Sequence, residues 1–149
     1  MSHHPADRRS QVLSSLQEWS SVSCFPLGEI NQAYANYFSG VSYLALLNQT
    51  DLPVFNVTFE PGCRNFWHIH HQGGQVLLVT AGRGWYQEEG CPARELHPGD
   101  TVYIAPGTTH WHGAARDSWF SHIAVAIPAQ GASNEWLESV SEQEYQLLP

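Results

Sequence analysis

The chain has 149 residues, 42% of them hydrophobic and 13% charged, with a formal net charge of −8. That is one domain's worth of polypeptide, able to bury a core without covalent staples and too apolar for a disordered chain. Six Lys plus Arg leave no basic face for nucleic acid or an anionic membrane, and no apolar run is long enough to span a bilayer.

The N-terminal stretch is polar and holds His3 and His4, to which no site is assigned. No basic-then-apolar signal segment stands there, so a cytoplasmic location is expected. Residues 10–19 place Val12, Leu13, Leu16 and Trp19 at helical spacing, which predicts a short amphipathic helix. From residue 41 the pattern becomes short β-type runs at 41–47, 54–60, 63–70, 75–81, 84–89, 101–105 and 119–127. They are separated by breakers such as Pro61-Gly62, Gly73-Gly74, Gly82, Gly90, Pro98-Gly99-Asp100 and Pro106-Gly107. Short strands at such spacing predict a sandwich or barrel, not alternating βαβ units. Phe55, Val57 and Phe59 read as core. Near the end, Ser141 with Glu144 three residues on forms a capping box ahead of Tyr145, Leu147 and Leu148, which predicts a short helix. The organisation expected is an extension over 1–40, a β-barrel over 41–128 and a tail over 129–149.

The chemistry concentrates in the histidines. In an extended strand, His68 and His70 share one face, while Trp67, Ile69 and His71 share the other. Two imidazoles at i and i+2 can bind adjacent positions of one metal ion. Gln75 follows a turn and returns to the same ion if the next strand pairs with the first. The best candidate for a fourth ligand is His110, delivered by the Pro106-Gly107 turn, with His112 on the same side of a regular strand. His97 sits in a turn before Pro98 and is left out. Cys24, Cys63 and Cys91 are odd in number and widely spaced, which suits reduced thiols. Cys63 lies near the cluster, yet a buried apolar role is the better reading for a lone Cys.

Gly62…His68-x-His70…Gln75…Gly82 resembles the first cupin motif, and Gly99-Asp100…Pro106-Gly107…His110 resembles the second. Gln75 stands where that family usually has Glu, Ala105 where a Pro is common, and Ala114 in place of a final Asn. The phrases GQVLLVTAGRGWYQ, HPGDTVYIAPGTTHWHGA and SHIAVAI are similar to small single-domain cupins related to the carboxymuconolactone decarboxylase group, which includes bacterial manganese-dependent hydroxynitrile lyases. The resemblance implies an all-β cupin jelly-roll barrel with short terminal helical segments, a homodimer, and a metal held by His68, His70, Gln75 and His110. It also implies a substrate-handling role for His122. Between His70 and Gln75 lie four residues, one more than in those lyases.

Three neutral imidazoles and a neutral amide leave the +2 charge of an ion uncompensated. Such a centre is a stronger Lewis acid and resists oxidation, so polarising a hydroxyl or carbonyl is favoured over activating O₂. The resemblance implies manganese, while the His and Gln ligands leave Fe, Ni and Zn open as well. A base is also needed. His122 shares a strand face with Phe120, Ala124 and Ala126, and the two alanines leave room for a small-molecule substrate; His112 is the second candidate. Trp67, Trp111 and Trp119, at opposite parity, are expected to face a second sheet or a partner subunit. The function expected is therefore a metal-dependent, lyase-like enzyme without redox chemistry. The alternatives are an Fe(II) cupin dioxygenase and a non-catalytic metal or small-ligand binding protein.

Overall fold

The computed structural model describes Trp19 and residues 23–149. Apart from Trp19, the helix expected over 10–19 lies outside the described residues. Thirteen strands follow in chain order: β1 (Glu29–Ile30), β2 (Phe38–Ser39), β3 (Ser42–Leu46), β4 (Val54–Phe59), β5 (Arg64–Asn65), β6 (His68–His71), β7 (Gln75–Gly82), β8 (Gly84–Glu88), β9 (Arg94–Leu96), β10 (Thr101–Ile104), β11 (His110–Ala114), β12 (Phe120–Ala126) and β13 (Ser133–Trp136). They form two antiparallel sheets. One has six strands in the order β1-β3-β4-β12-β7-β10; the other runs β13-β6-β11-β5-β2, with β8 pairing β11 and β9.

The strands alternate as their sequences dictate. Val57 and Phe59 of β4, Leu77 and Val79 of β7, Val102 and Ile104 of β10 and Phe120 of β12 turn inward from the six-stranded sheet. They meet Tyr86, Leu96 and Ala114 of the opposite sheet, so the main core is the filling between the sheets. Each fully buried side chain of this size stabilises the fold by about 1.5–3 kcal/mol. Gly82 ends β7 at φ +74, and a Cβ there would fall 1.8 Å from the Trp119 carbonyl oxygen, so the tight passage from β7 to β8 needs glycine.

The run 63–70 is divided. β5 pairs β2 and β11, β6 pairs β13 and β11, and the chain kinks between them at Phe66 and Trp67. There Phe66 N–H donates to Tyr37 O (2.8 Å) and Trp67 N–H to Glu138 O (3.0 Å). The sheets also reach past the span 41–128, because β1, β2 and β13 supply pairing partners that polar, short segments did not advertise. The Ser141 half of the capping box is formed: Ser141 Oγ accepts from Glu144 N–H at 3.1 Å, ahead of the helix α1 (Glu142–Gln146).

The aromatic residues at opposite parity are covered by the chain itself. Trp111 and Trp85, with Trp67 against them, pack under Val140, Tyr145 and Leu148 of the C-terminal tail. Trp119 stacks on Trp19 and lies beside Tyr43. Of the surroundings expected for these residues, Trp67 and Trp111 have the chain's own C-terminal tail, and Trp119 has Trp19 and Tyr43.

Candidate metal centre

Strand pairing assembles the histidines. β6 and β11 run antiparallel with His68 opposite His110, and strand periodicity turns His70 and His112 to the same side. Ring centroids are 4.1 Å apart for His68 and His110, and 5.1 Å from His70 to each of them. His68, His110 and His112 are buried, with one ring nitrogen from each lying within 4.8 Å of the others. A three-histidine group of this kind could hold a metal ion.

The hydrogen bonds of the rings decide which nitrogens face inward. His68 Nδ1 lies 2.8 Å from Phe66 O, His110 Nδ1 2.9 Å from Thr108 O, and His70 Nδ1 2.7 Å from Asn134 Oδ1. Oxygen acceptors require the proton to sit on Nδ1, which leaves the lone pair on Nε2 in all three rings. His70 Nε2 and His110 Nε2 are buried and have no protein partner. A buried, unpartnered nitrogen acceptor is costly unless something occupies it, and a divalent ion fits that demand. His112 differs. Its Nδ1 is 3.1 Å from His122 Nε2, and its Nε2 is 3.1 Å from Asn65 Nδ2.

Electrostatics keep the rings neutral. Burial, reinforced by the neighbouring His110, holds His68 well below the usual imidazole range. Burial lowers His110 to about 4 and His122 to about 3, and burial with the adjoining His122 pulls His112 well down. Neutral imidazole is the form that ligates metal and accepts protons.

The rings open onto a cavity of about 190 Å³ between the sheets. Its wall carries Gln75, Asn31, Asn65 and Asn134, with Tyr34, Phe38, Phe55 and Trp136 as an aromatic side and Leu44, Val57, Ala124 and Ala126 as the apolar remainder. Among the described residues, no Asp, Glu, Lys or Arg lines it.

Residues 55–123 match the cupin domain family. Over 115 residues the chain is 43% identical to an (R)-mandelonitrile lyase from Granulicella tundricola, covering 74% of this chain and 87% of that protein. The chain belongs to the cupin family. A cupin-like protein from Thermotoga maritima superposes with a TM-score of 0.77 at 41% identity, covering 83% of this chain and 95% of the other. A predicted oxalate decarboxylase from the same organism, at a TM-score of 0.60 and 17% identity over 66% of this chain and 90% of its own, shares the fold.

In this cupin, five of the six site residues read from the sequence line one cavity, and the sixth packs against two of them. His68, His70, Gln75, His112 and His122 line it, while His110 is not among the lining residues and its ring centre lies 4.1 Å from that of His68 and 5.1 Å from that of His70. His71 points away and pairs with Glu135 at 3.0 Å, and His97 is exposed beside Glu95 at 3.3 Å. Cys63 is part of the apolar core and does not line the cavity; burial pushes its thiol up to about 12. No helix among the described residues is long and apolar enough to cross a membrane.

Sequence reading missed Asn65, Asn134 and Trp136. Asn65 Oδ1 accepts the His112 backbone N–H at 2.9 Å, which directs the Asn65 amide nitrogen at the His112 ring. Asn134 and Trp136 share one face of β13, opposite His70 and His68 respectively. The only sequence signal for them is the two-residue alternation of SNEW, which its polar composition hides.

Proposed function

We propose that this cupin is a metal-dependent lyase that cleaves a small neutral α-hydroxy compound, of the aryl cyanohydrin type, without redox chemistry. The observation that carries the reading is the set of imidazoles whose Nδ1 atoms are bonded to oxygen, with the Nε2 atoms of His70 and His110 buried and unpartnered, beside a cavity that His70 lines and no charged side chain enters. His68, His70, Gln75 and His110 would hold one divalent ion, Mn(II) first. His112 is the less suitable ligand because Asn65 and His122 already engage its two nitrogens. When bound, the ion supplies Lewis-acid polarisation of a hydroxyl or carbonyl oxygen, undiminished by any anionic protein ligand.

The chain's own residues do the rest. With no anion on the wall an ammonium group finds no partner, and with no Lys or Arg there the ion alone would attract negative charge. Tyr34, Phe38, Phe55 and Trp136 instead offer aromatic surface to an aryl group. The neutral pair His112 and His122 would accept the proton that the substrate hydroxyl loses as the carbon–carbon bond breaks, at His112 Nε2 in place of its bond from the Asn65 amide. The bonding electron pair leaves on the departing carbanion, which then takes up a proton. The similarity to a mandelonitrile lyase supports the same class. A homodimer, read by light scattering, completes the proposal.

The test is reconstitution with Mn(II), Fe(II), Ni(II) or Zn(II), followed by racemic mandelonitrile. Release of benzaldehyde and cyanide without oxygen consumption is expected, greatest with Mn(II). Oxygen uptake matched to turnover would place the protein among the dioxygenases. If no ion is taken up, both enzyme readings end.

A further inference from the structure

We infer that Asn134, on the C-terminal strand β13, is a positioning residue that sets the protonation and orientation of His70 for metal binding. The inference rests on the metal-centre reading above and extends it to a segment outside both histidine motifs. Among the three imidazoles, His68 and His110 are fixed in one way: each Nδ1 donates to the carbonyl two residues earlier in the chain, just ahead of its own strand, Phe66 O and Thr108 O. Those bonds are local, each spanning two residues of the chain. His70 has no such bond. Its Nδ1 is held by the side chain of a residue 64 positions away, at 2.7 Å.

The identity of that side chain matters because an amide has two ends. With Oδ1 toward the ring, His70 must carry its proton on Nδ1 and present a lone pair at Nε2. With Nδ2 toward the ring, the proton moves to Nε2 and the ligand is lost. The buried, unpartnered state of His70 Nε2 fits the first arrangement. β13 keeps Asn134 in register: it lies opposite His70, and two residues on, Trp136 stacks on His68 (4.7 Å) and on Tyr37 (4.7 Å, rings 4° from parallel). One four-residue strand thereby touches two of the proposed ligands. Asn134 itself is exposed, so changing it leaves the core untouched.

The experiment is a titration of the metal-free full chain with Mn(II), following the signal of the free aqueous ion by electron paramagnetic resonance, for the parent, Asn134→Ala and Asn134→Asp. Loss of a partner that orients a metal-bound histidine weakens affinity by about 10–100-fold. Asn134→Ala is expected in that range. Asn134→Asp, whose carboxylate can only accept, is expected to bind at least as tightly as the parent. If Asn134→Ala binds as tightly as the parent, or if Asn134→Asp is as weak as Asn134→Ala, the positioning role is wrong while the metal centre stands. If the parent takes up no Mn(II), the metal-centre reading fails and takes this inference with it.

Discussion

His122 Nε2 lies 3.1 Å from His112 Nδ1, and both rings are buried. Two neutral imidazoles make that bond with one nitrogen protonated and the other bare, so the pair shares one proton across the floor of the cavity. The Asn65 amide orients it: with Nδ2 donating toward His112 Nε2, the hydrogen of His112 sits on Nδ1 and points at His122. His122→Ala and His112→Ala are each expected to lower kcat by about 10²–10⁴-fold. Neither is expected to change the metal content. Kinetics beside metal analysis checks both, and a variant that loses its ion identifies that histidine as a ligand instead.

Gln75 stands at the start of β7, where it borders the cavity between Ile104 of β10 and Ala126 of β12. Gln75→Glu adds one negative charge with little change in shape. The expected outcome is tighter Mn(II) binding together with slower cleavage, roughly tenfold in kcat, or about 1.4 kcal/mol of lost transition-state stabilisation. Unchanged turnover would show that the charge of the centre does not limit the reaction.

Acid should unfold the metal-free protein sooner than its carboxylates alone would require. His110 at about 4 and His122 at about 3 are neutral in the fold at pH 6, whereas in the unfolded chain they protonate near 6.5. The unfolded state therefore binds more protons below pH 6.5. Stability is level above that value and falls as the pH drops toward the folded values, at up to about 1.4 kcal/mol per pH unit for each histidine. Urea midpoints measured on the metal-free protein at pH 7.5, 6.0 and 5.0 check the trend, and His122→Gln is expected to make it shallower.

How far the site could be read from sequence follows from where its residues lie. His68, His70, His110, His112 and His122 were accessible because strand parity is local: once 68–71, 110–114 and 120–126 are strands, the facing of each side chain is fixed. Gln75 reaches the cavity by another route than the expected pairing of its strand with that of His68 and His70, because β7 pairs β12 and β10 in the opposite sheet. Asn134 was not accessible, since its role depends on β13 pairing with β6 across 64 positions. The same holds for the aromatic side of the cavity. Tyr34 and the two-residue strand of Phe38 lie in a stretch too short in regular structure for periodicity to place, and pairing of Phe38 with Asn65 sets the position of that strand. Trp67 and Trp111 had the expected parity, but the tail that covers them carries only Val140, Tyr145 and Leu148 as apolar anchors, too sparse a pattern to announce a docked segment.

That tail hangs on Arg64, which is 6% exposed. Its guanidinium donates to Val140 O (3.1 Å), Gly62 O (3.2 Å) and Glu142 Oε2 (2.9 Å), and it lies 4.1 Å from the centre of the Tyr145 ring. Tyr145 in turn donates its hydroxyl to Ala114 O at 2.6 Å, joining the tail to β11, the strand of His110 and His112. Removing Arg64 strands buried carbonyls and frees the segment that follows β13, so Arg64→Ala is expected to destabilise the fold by about 2–4 kcal/mol. Glu142 is exposed, and Glu142→Gln is expected to leave the denaturation midpoint close to the parent's, because the backbone carbonyls and the ring still hold the guanidinium. If the two variants are equally destabilised, the ion pair and not the buried clamp holds the tail. Thermal and urea unfolding of both variants, with Mn(II) affinity measured alongside, will show whether loosening the tail also loosens the metal centre through Asn134.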